Sequence, residues 1–267
     1  MKGPPTTTAP QIAGKHYRPF LQVMGATLKV SATIVFKDRQ GTLTPAIVDD
    51  LLQGWCQDLM RIGKGKIEAF GLEHVSNAAR GSGSAVDPAG RAYVLMTNHQ
   101  SLMDVPSVLK TFPGRLRMVG KRELGQIPLW GHAMKAGGIV FVDRGNREQS
   151  IAALELAKTQ MRAGTSIWIA PEGTRSLDGQ LGPLKKGGFH LARQLGAPIA
   201  PAWITGTREV IAPDGFGVTF HGHITVRYGA PIETTAADAA TDDGIAGLMQ
   251  RVRSSLLGLQ AESELSR

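Results

Sequence analysis

The segment Thr97-Asn98-His99-Gln100-Ser101-Leu102-Met103-Asp104 sets an imidazole and a carboxylate five positions apart. On one regular helix that spacing separates the two side chains by about 140° around the axis, a poor geometry for pairing. A loop joining a strand end to a helix start removes the difficulty. Asp104 then stands near a helix N-terminus, with Pro106 suited to the first turn. A carboxylate on one imidazole nitrogen fixes the tautomer and makes the other nitrogen a better base. Such a pair needs no nucleophilic side chain where the substrate brings its own hydroxyl, and general-base help of this kind is worth roughly 10²–10⁴ in rate. Taken alone, His-x4-Asp is more often a hydrogen bond that ties down a loop.

Three further segments carry site-type residues. Arg144 follows the apolar run 138–142, and its planar fork suits a phosphate, although an ion pair with Asp143 explains it equally well. Pro171-Glu172-Gly173-Thr174-Arg175-Ser176 follows another apolar run. Gly173 permits a turn whose peptide N–H groups approach an anion closely, and Thr174 and Arg175 add side-chain donors. Glu172 cannot hold phosphate; it suits a glycerol hydroxyl or the bracing of an arginine. The fourth segment, 196–204, contains Pro198 and Pro201. Proline favours a sheet edge or a bulge, so this strand is expected at an edge, bordering an acyl groove or simply closing the sheet.

These segments need elements to position them. Short apolar runs predict strands at 92–97, 116–120, 138–142, 166–170, 198–204 and 224–228, and helical patterns fall at 105–112, 129–135, 148–163, 185–195 and 237–257. The alternation implies an α/β fold: a mixed, largely parallel sheet flanked by helices, with N-terminal amphipathic helices ahead of it. Functional groups then gather beyond the carboxyl ends of the strands. Between 45 and 61, Ile47, Leu51, Leu52, Trp55 and Leu59 recur at helical spacing, with Thr44 as N-cap and Pro45 in the first turn. Core packing is the commoner fate of such a helix. Residues 1–15 read as a mobile tail, 16–64 as the amphipathic or interfacial helical region, and 65–260 as the main domain, with a polar surface loop at 76–91.

Composition narrows the partners. The 267 residues carry a formal charge of +8, 42% are hydrophobic, and the pI is near 9.8. That balance favours phosphate esters and anionic lipid surfaces. No recognition helix, zinc pattern or aromatic RNA motif supports nucleic acid. Cys56 is the single cysteine, which excludes an intrachain disulfide and a thiolate cluster. The seven histidines form no metal-ligand spacing, His221 and His223 alternating like strand neighbours. The apolar stretch 20–36 is interrupted by Gln22 and Lys29, so membrane contact is expected to be peripheral or interfacial rather than spanning.

Together the four segments resemble the 1-acylglycerol-3-phosphate (lysophosphatidic acid) acyltransferases of the glycerolipid acyltransferase family. The match runs through His99 and Asp104 (an HX4D motif), Gly138 to Arg144, Pro171 to Ser176, and the surroundings of Pro201, over about residues 66–230. The resemblance implies His99 as general base, Asp104 as its orienting partner, and Arg144, Glu172, Gly173, Thr174 and Arg175 as the site for the acceptor's glycerol phosphate. Lys121 is a weaker addition for phosphate or the oxyanion. It further implies acyl-CoA or acyl-acyl-carrier protein as co-substrate, lysophosphatidic acid as acceptor, no other cofactor, no metal, and the cytoplasmic face of a membrane. Other lysophospholipids, a lyso-ornithine lipid, or a non-catalytic role in binding anionic lipid remain open. Ala170 departs from the aromatic residue that often precedes the third motif.

Overall fold

Seven strands assemble into one sheet: β1 (Lys66–Phe70), β2 (Val94–Thr97), β3 (Leu116–Lys121), β4 (Val140–Val142), β5 (Ser166–Ile169), β6 (Ile199–Thr205) and β7 (His223–Tyr228). The computed structural model describes residues 17–75, 91–143, 145–213, 218–234 and 242–265. The expected tail and nearly all of the 76–91 loop therefore lie outside the described residues. Strand order is β1-β7-β6-β2-β5-β3-β4. β6, β2, β5, β3 and β4 run parallel, while β7 is antiparallel to β6 and parallel to β1. The sheet is mixed and largely parallel, as the alternation predicted.

Helices cover both faces: α1 (Tyr17–Arg39), α2 (Pro45–Gly63), α3 (Asp104–Thr111), α4 (Trp130–Ala136), α5 (Arg147–Arg162), α6 (Gly187–Leu195), the short α7 (Thr207–Val210) and α8 (Asp242–Leu265). Side chains alternate across a strand, so Leu95 of β2 joins Cys56, Val108 and Phe112 on the α2/α3 face. Val94 and Met96 join Phe189, Ile245 and Leu248 on the α6/α8 face. Every residue of β2 is buried, as expected of a central parallel strand covered on both sides. Thr44 caps α2 as its position suggested, accepting a bond from the Ile47 N–H. Asp49 on that helix takes Arg115 and Arg117 at 2.9 and 2.6 Å, tying α2 to β3.

Four expectations change. β6 is an interior strand, between β7 and β2, and not an edge. Pro201 is tolerated there because a strand residue's N–H and C=O point to the same side. The Pro201 carbonyl accepts from the Gly229 N–H, just past the end of β7, so the missing N–H falls where that ladder stops. β1 was not anticipated; Lys66 and Glu68 pair on its outer face, a charged pattern that protects an edge strand while hiding its period. His221 lies in a left-handed turn before β7, so it is not a strand neighbour of His223. The N-terminus also differs: Gln22 and Lys29 do not break α1. The helix Arg18–Arg39 contains an 18-residue window of mean hydropathy 1.3, and is long and apolar enough to cross a membrane by length and composition.

Candidate active site

The parallel strands β2, β5, β3 and β4 end at one edge of the sheet, which brings the segments after them together. The chain leaves β2 through Asn98, whose side-chain amide accepts from the Ile204 N–H at 2.8 Å and donates to the Ile204 carbonyl at 2.9 Å. Asn98 thus stands in for a ladder residue and closes the strand end. His99 follows on the loop and Asp104 opens α3. The predicted loop between them lets the His99 Nδ1–H reach Asp104 Oδ2 at 2.7 Å.

Asp104 is fully buried. Its Oδ2 also accepts the N–H groups of Gln100 at 2.7 Å and Ser101 at 3.0 Å, and its Oδ1 accepts the Thr207 hydroxyl at 2.6 Å. Four donors aimed at one carboxylate are the arrangement that makes a buried charge tolerable. The His99 side chain is 20% exposed, and Trp168 meets its ring edge-on at 6.1 Å. Among the described residues, His99 Nε2 has no hydrogen-bond partner. The nearby Ser101 hydroxyl is already engaged, donating to the Ile211 carbonyl and accepting from the Met103 N–H.

The turn after β5 grips the same loop. Glu172 Oε1 accepts the His99 N–H at 2.9 Å, and Oε2 accepts the Gly182 N–H at 2.8 Å. The sequence suggested a glycerol hydroxyl or an arginine for this carboxylate; the structure gives both oxygens to backbone. Burial pushes the Glu172 carboxyl above its ordinary value of 4.5, the two N–H groups opposing that rise. Gly173 adopts φ +73°, a conformation that glycine takes without strain. The Ser176 N–H donates to the His99 carbonyl at 2.7 Å, so Arg175 stands on the same edge as the imidazole. The Gly173 N–H is spent on Ala170. Among the described residues, the N–H groups of Thr174 and Arg175 and the Arg175 guanidinium make no hydrogen bond. Lys121 ends β3 on that edge, exposed and similarly unpaired. Arg144 lies outside the described residues; its neighbour Asp143 pairs with Arg122 at 2.6 Å, at the same edge.

Sequence reading missed Thr207, although it sits two residues beyond β6 at the edge where parallel strands end. It also missed Gly182 and its support, Arg253 of α8, which donates to the carbonyls of Gly182 at 2.8 Å and Leu181 at 3.1 Å. Thr207 lies 103 positions from Asp104 and Arg253 lies 71 from Gly182, so neither carries a local signal.

A braced imidazole with one free nitrogen, beside unpaired N–H donors and cations, is an arrangement able to accept a proton next to a turn able to hold an anion. The family model described as Acyltransferase matches residues 66–205, and the chain belongs to that family. It is 33% identical over 171 residues to human 1-acyl-sn-glycerol-3-phosphate acyltransferase alpha, covering 64% of this chain and 59% of that protein. A Saccharomyces cerevisiae 1-acyl-sn-glycerol-3-phosphate acyltransferase is 34% identical over 175 residues, covering 63% and 55% respectively. The match thus spans somewhat over half the length of these curated relatives. In fold the chain is similar to the crystal structure of the 1-acyl-sn-glycerophosphate (LPA) acyltransferase PlsC from Thermotoga maritima. The TM-score is 0.70 at 21% identity, covering 92% of this chain and 95% of that one.

Proposed function

We propose that the protein transfers a fatty acyl group from a thioester donor, acyl-CoA or acyl-acyl-carrier protein, to the sn-2 hydroxyl of lysophosphatidic acid. The observation that carries this reading is the bond from His99 Nδ1–H to Asp104, which leaves Nε2 free to take a proton. His99 Nε2 accepts the acceptor's hydroxyl proton as that oxygen bonds to the thioester carbonyl carbon. The tetrahedral intermediate then collapses, the C–S bond breaks, and the imidazolium returns its proton to the departing thiolate. Phosphatidic acid and a free thiol are the products. Asp104 holds the tautomer and offsets the positive charge that forms on the ring.

Thr174, Arg175 and Lys121, with Arg144 joining from the end of β4, hold the phosphate by side-chain and backbone donors. Glu172 acts through the loop: it fixes the His99 main chain, and its bond to Gly182 fixes Glu172. At the membrane, Leu21, Met24 and Leu28 of α1 are exposed at three- and four-residue spacing. Such a face enters the acyl region of a bilayer while Lys29 and Lys37 meet anionic headgroups. The site would then face the cytoplasm, where the thioester donors are.

The decisive assay offers purified protein a panel of lyso-lipids with either donor, in wild-type and His99→Ala forms. Phosphatidic acid from lysophosphatidic acid, absent in the variant, is the expected result. Preference for a lysophospholipid with a blocked phosphate, or for lyso-ornithine lipid, would move the acceptor and keep the chemistry. Lipid binding without turnover in either form would leave only a binding protein.

A further inference from the structure

We propose that Thr207 is the third member of the base assembly, a positioning residue whose hydroxyl sets the orientation of Asp104 and thereby the basicity available at His99. It rests on the acyltransferase reading and deepens it. Thr207 is fully buried, and its hydroxyl lies 2.6 Å from Asp104 Oδ1, the oxygen that His99 does not use. The remaining donors, His99 Nδ1–H and the N–H groups of Gln100 and Ser101, all converge on Oδ2. Oδ1 therefore depends on a single side chain from another part of the sequence. Without it Oδ1 is a buried oxygen with no donor, and the carboxylate is held at Oδ2 alone.

The backbone is built to deliver that hydroxyl. Gly206 takes φ +89°, and a Cβ there would come within 2.0 Å of the His223 carbonyl oxygen, so the turn that places Thr207 requires glycine. A few residues on, the Ile211 carbonyl accepts the Ser101 hydroxyl at 2.7 Å. Segment 206–211 thus clamps the catalytic loop at two points. It lies beyond residue 205, where the family match ends.

The chemistry gives this hydroxyl a role distinct from packing. A donor on the ionised carboxylate spreads its charge; removing the donor concentrates charge on the oxygens facing His99 and strengthens their hold on an imidazolium. Of the ionisable groups near Asp104, the His99 ring is in direct contact and Glu172 is a second carboxylate, the two carboxylates repelling one another. Arg208, next in the chain to Thr207, turns away to the Leu177 carbonyl at 2.7 Å. Thr207 is thus the uncharged group that tunes the cluster.

The test compares Thr207→Val, nearly isosteric but without the donor, with Thr207→Ser, which keeps it. Acyl transfer from acyl-CoA to lysophosphatidic acid is followed across pH, with His99→Ala as the blank. For Thr207→Val, kcat should fall on the order of tenfold with KM for lysophosphatidic acid little changed. The acidic limb of its kcat/KM profile should move up by about half a unit to one unit. Thr207→Ser should restore both. A Thr207→Val enzyme with the wild-type rate and limb overturns the assignment. So does an equal loss in both variants without movement of the limb, which would mark a merely structural residue. A wild-type chain that does not exceed the His99→Ala blank sinks the acyltransferase reading itself, and this inference with it.

Discussion

Replacing Asp104 by asparagine separates what this carboxylate does for the fold from what it does for the reaction. The amide must choose which end meets the three donors on Oδ2. Two of them, the N–H groups of Gln100 and Ser101, are fixed backbone donors that cannot accept. The amide oxygen therefore stays at the Oδ2 position, and the NH₂ group meets the Thr207 hydroxyl, which can turn to accept. His99 keeps its Nδ1–H bond and its tautomer. Each of the three bonds falls from charge-assisted to neutral strength, a loss of about 1 kcal/mol apiece. Relief from burying a charge offsets part of this, leaving a net cost of about 2 kcal/mol. In a chain of this size that lowers Tm by about 4–8 °C.

The rate should suffer far more. With about 4 Å between charge centres and an effective dielectric near 20, the carboxylate stabilises an imidazolium by about 4 kcal/mol, equivalent to about 10³ in rate. Asp104→Ala reverses the balance for stability. It strands the Thr207 hydroxyl and the N–H groups of Gln100 and Ser101, each costing about 1–3 kcal/mol when buried and unpaired. Asp104→Ala should melt well below Asp104→Asn while both are nearly inactive. Melting curves and single-turnover acyl transfer on the two purified variants measure this. An Asp104→Asn enzyme with more than a tenth of the wild-type rate would refute the reasoning, as would an alanine variant melting no lower than the asparagine one.

Glu172 offers a pH test. Because burial raises its carboxyl above 4.5 in the folded chain, the native state holds that proton more tightly than the unfolded state does. Its contribution to stability is complete below pH 4.5 and lost as pH rises through the raised value; in denaturant titrations against pH, Glu172→Gln should lack that part of the slope. Cys56 is buried, and desolvation pushes its thiol up to about 12. A thiolate-seeking reagent at pH 8 should leave native protein unlabelled and label one thiol per chain after denaturation. Arg253→Ala should cut kcat several-fold, because Arg253 holds the Leu181–Gly182 carbonyls and Gly182 in turn holds Glu172; unchanged kcat with a lowered Tm would show that α8 steadies only the fold.

The sheet was legible because its strands are short apolar runs separated by helical patterns, and β2 and β5 are apolar apart from Thr97 and Ser166. β1 was not, because Lys66 and Glu68 give it the composition of a loop. The prolines at β6 point to an edge, a sound local rule that fails here because Pro201 sits where the β7 ladder has ended. Within the site, His99 and Asp104 were legible as a pair because a loop resolves the angular conflict of their spacing. The duty of Glu172 was not. A carboxylate in a polar turn looks the same in sequence whether it binds a hydroxyl or two peptide N–H groups, and only the approach of His99 and Gly182 decides.

Those failures share a physical cause. Motif residues lie at the ends of parallel strands, so they reach one edge of the sheet even though the strands are not in chain order there. The groups that hold them are recruited from elsewhere: Ile204 on Asn98, Thr207 on Asp104, Ile211 on Ser101, and α8 through Gly182 on Glu172. Each recruit reaches its partner across 71 to 110 positions of chain, so no local pattern marks it. Yet a base must be held within a fraction of an ångström to be useful. The precision of the imidazole therefore depends on residues that the motif pattern does not contain, and substitutions at Thr207 or Arg253 should impair turnover while every motif residue remains intact.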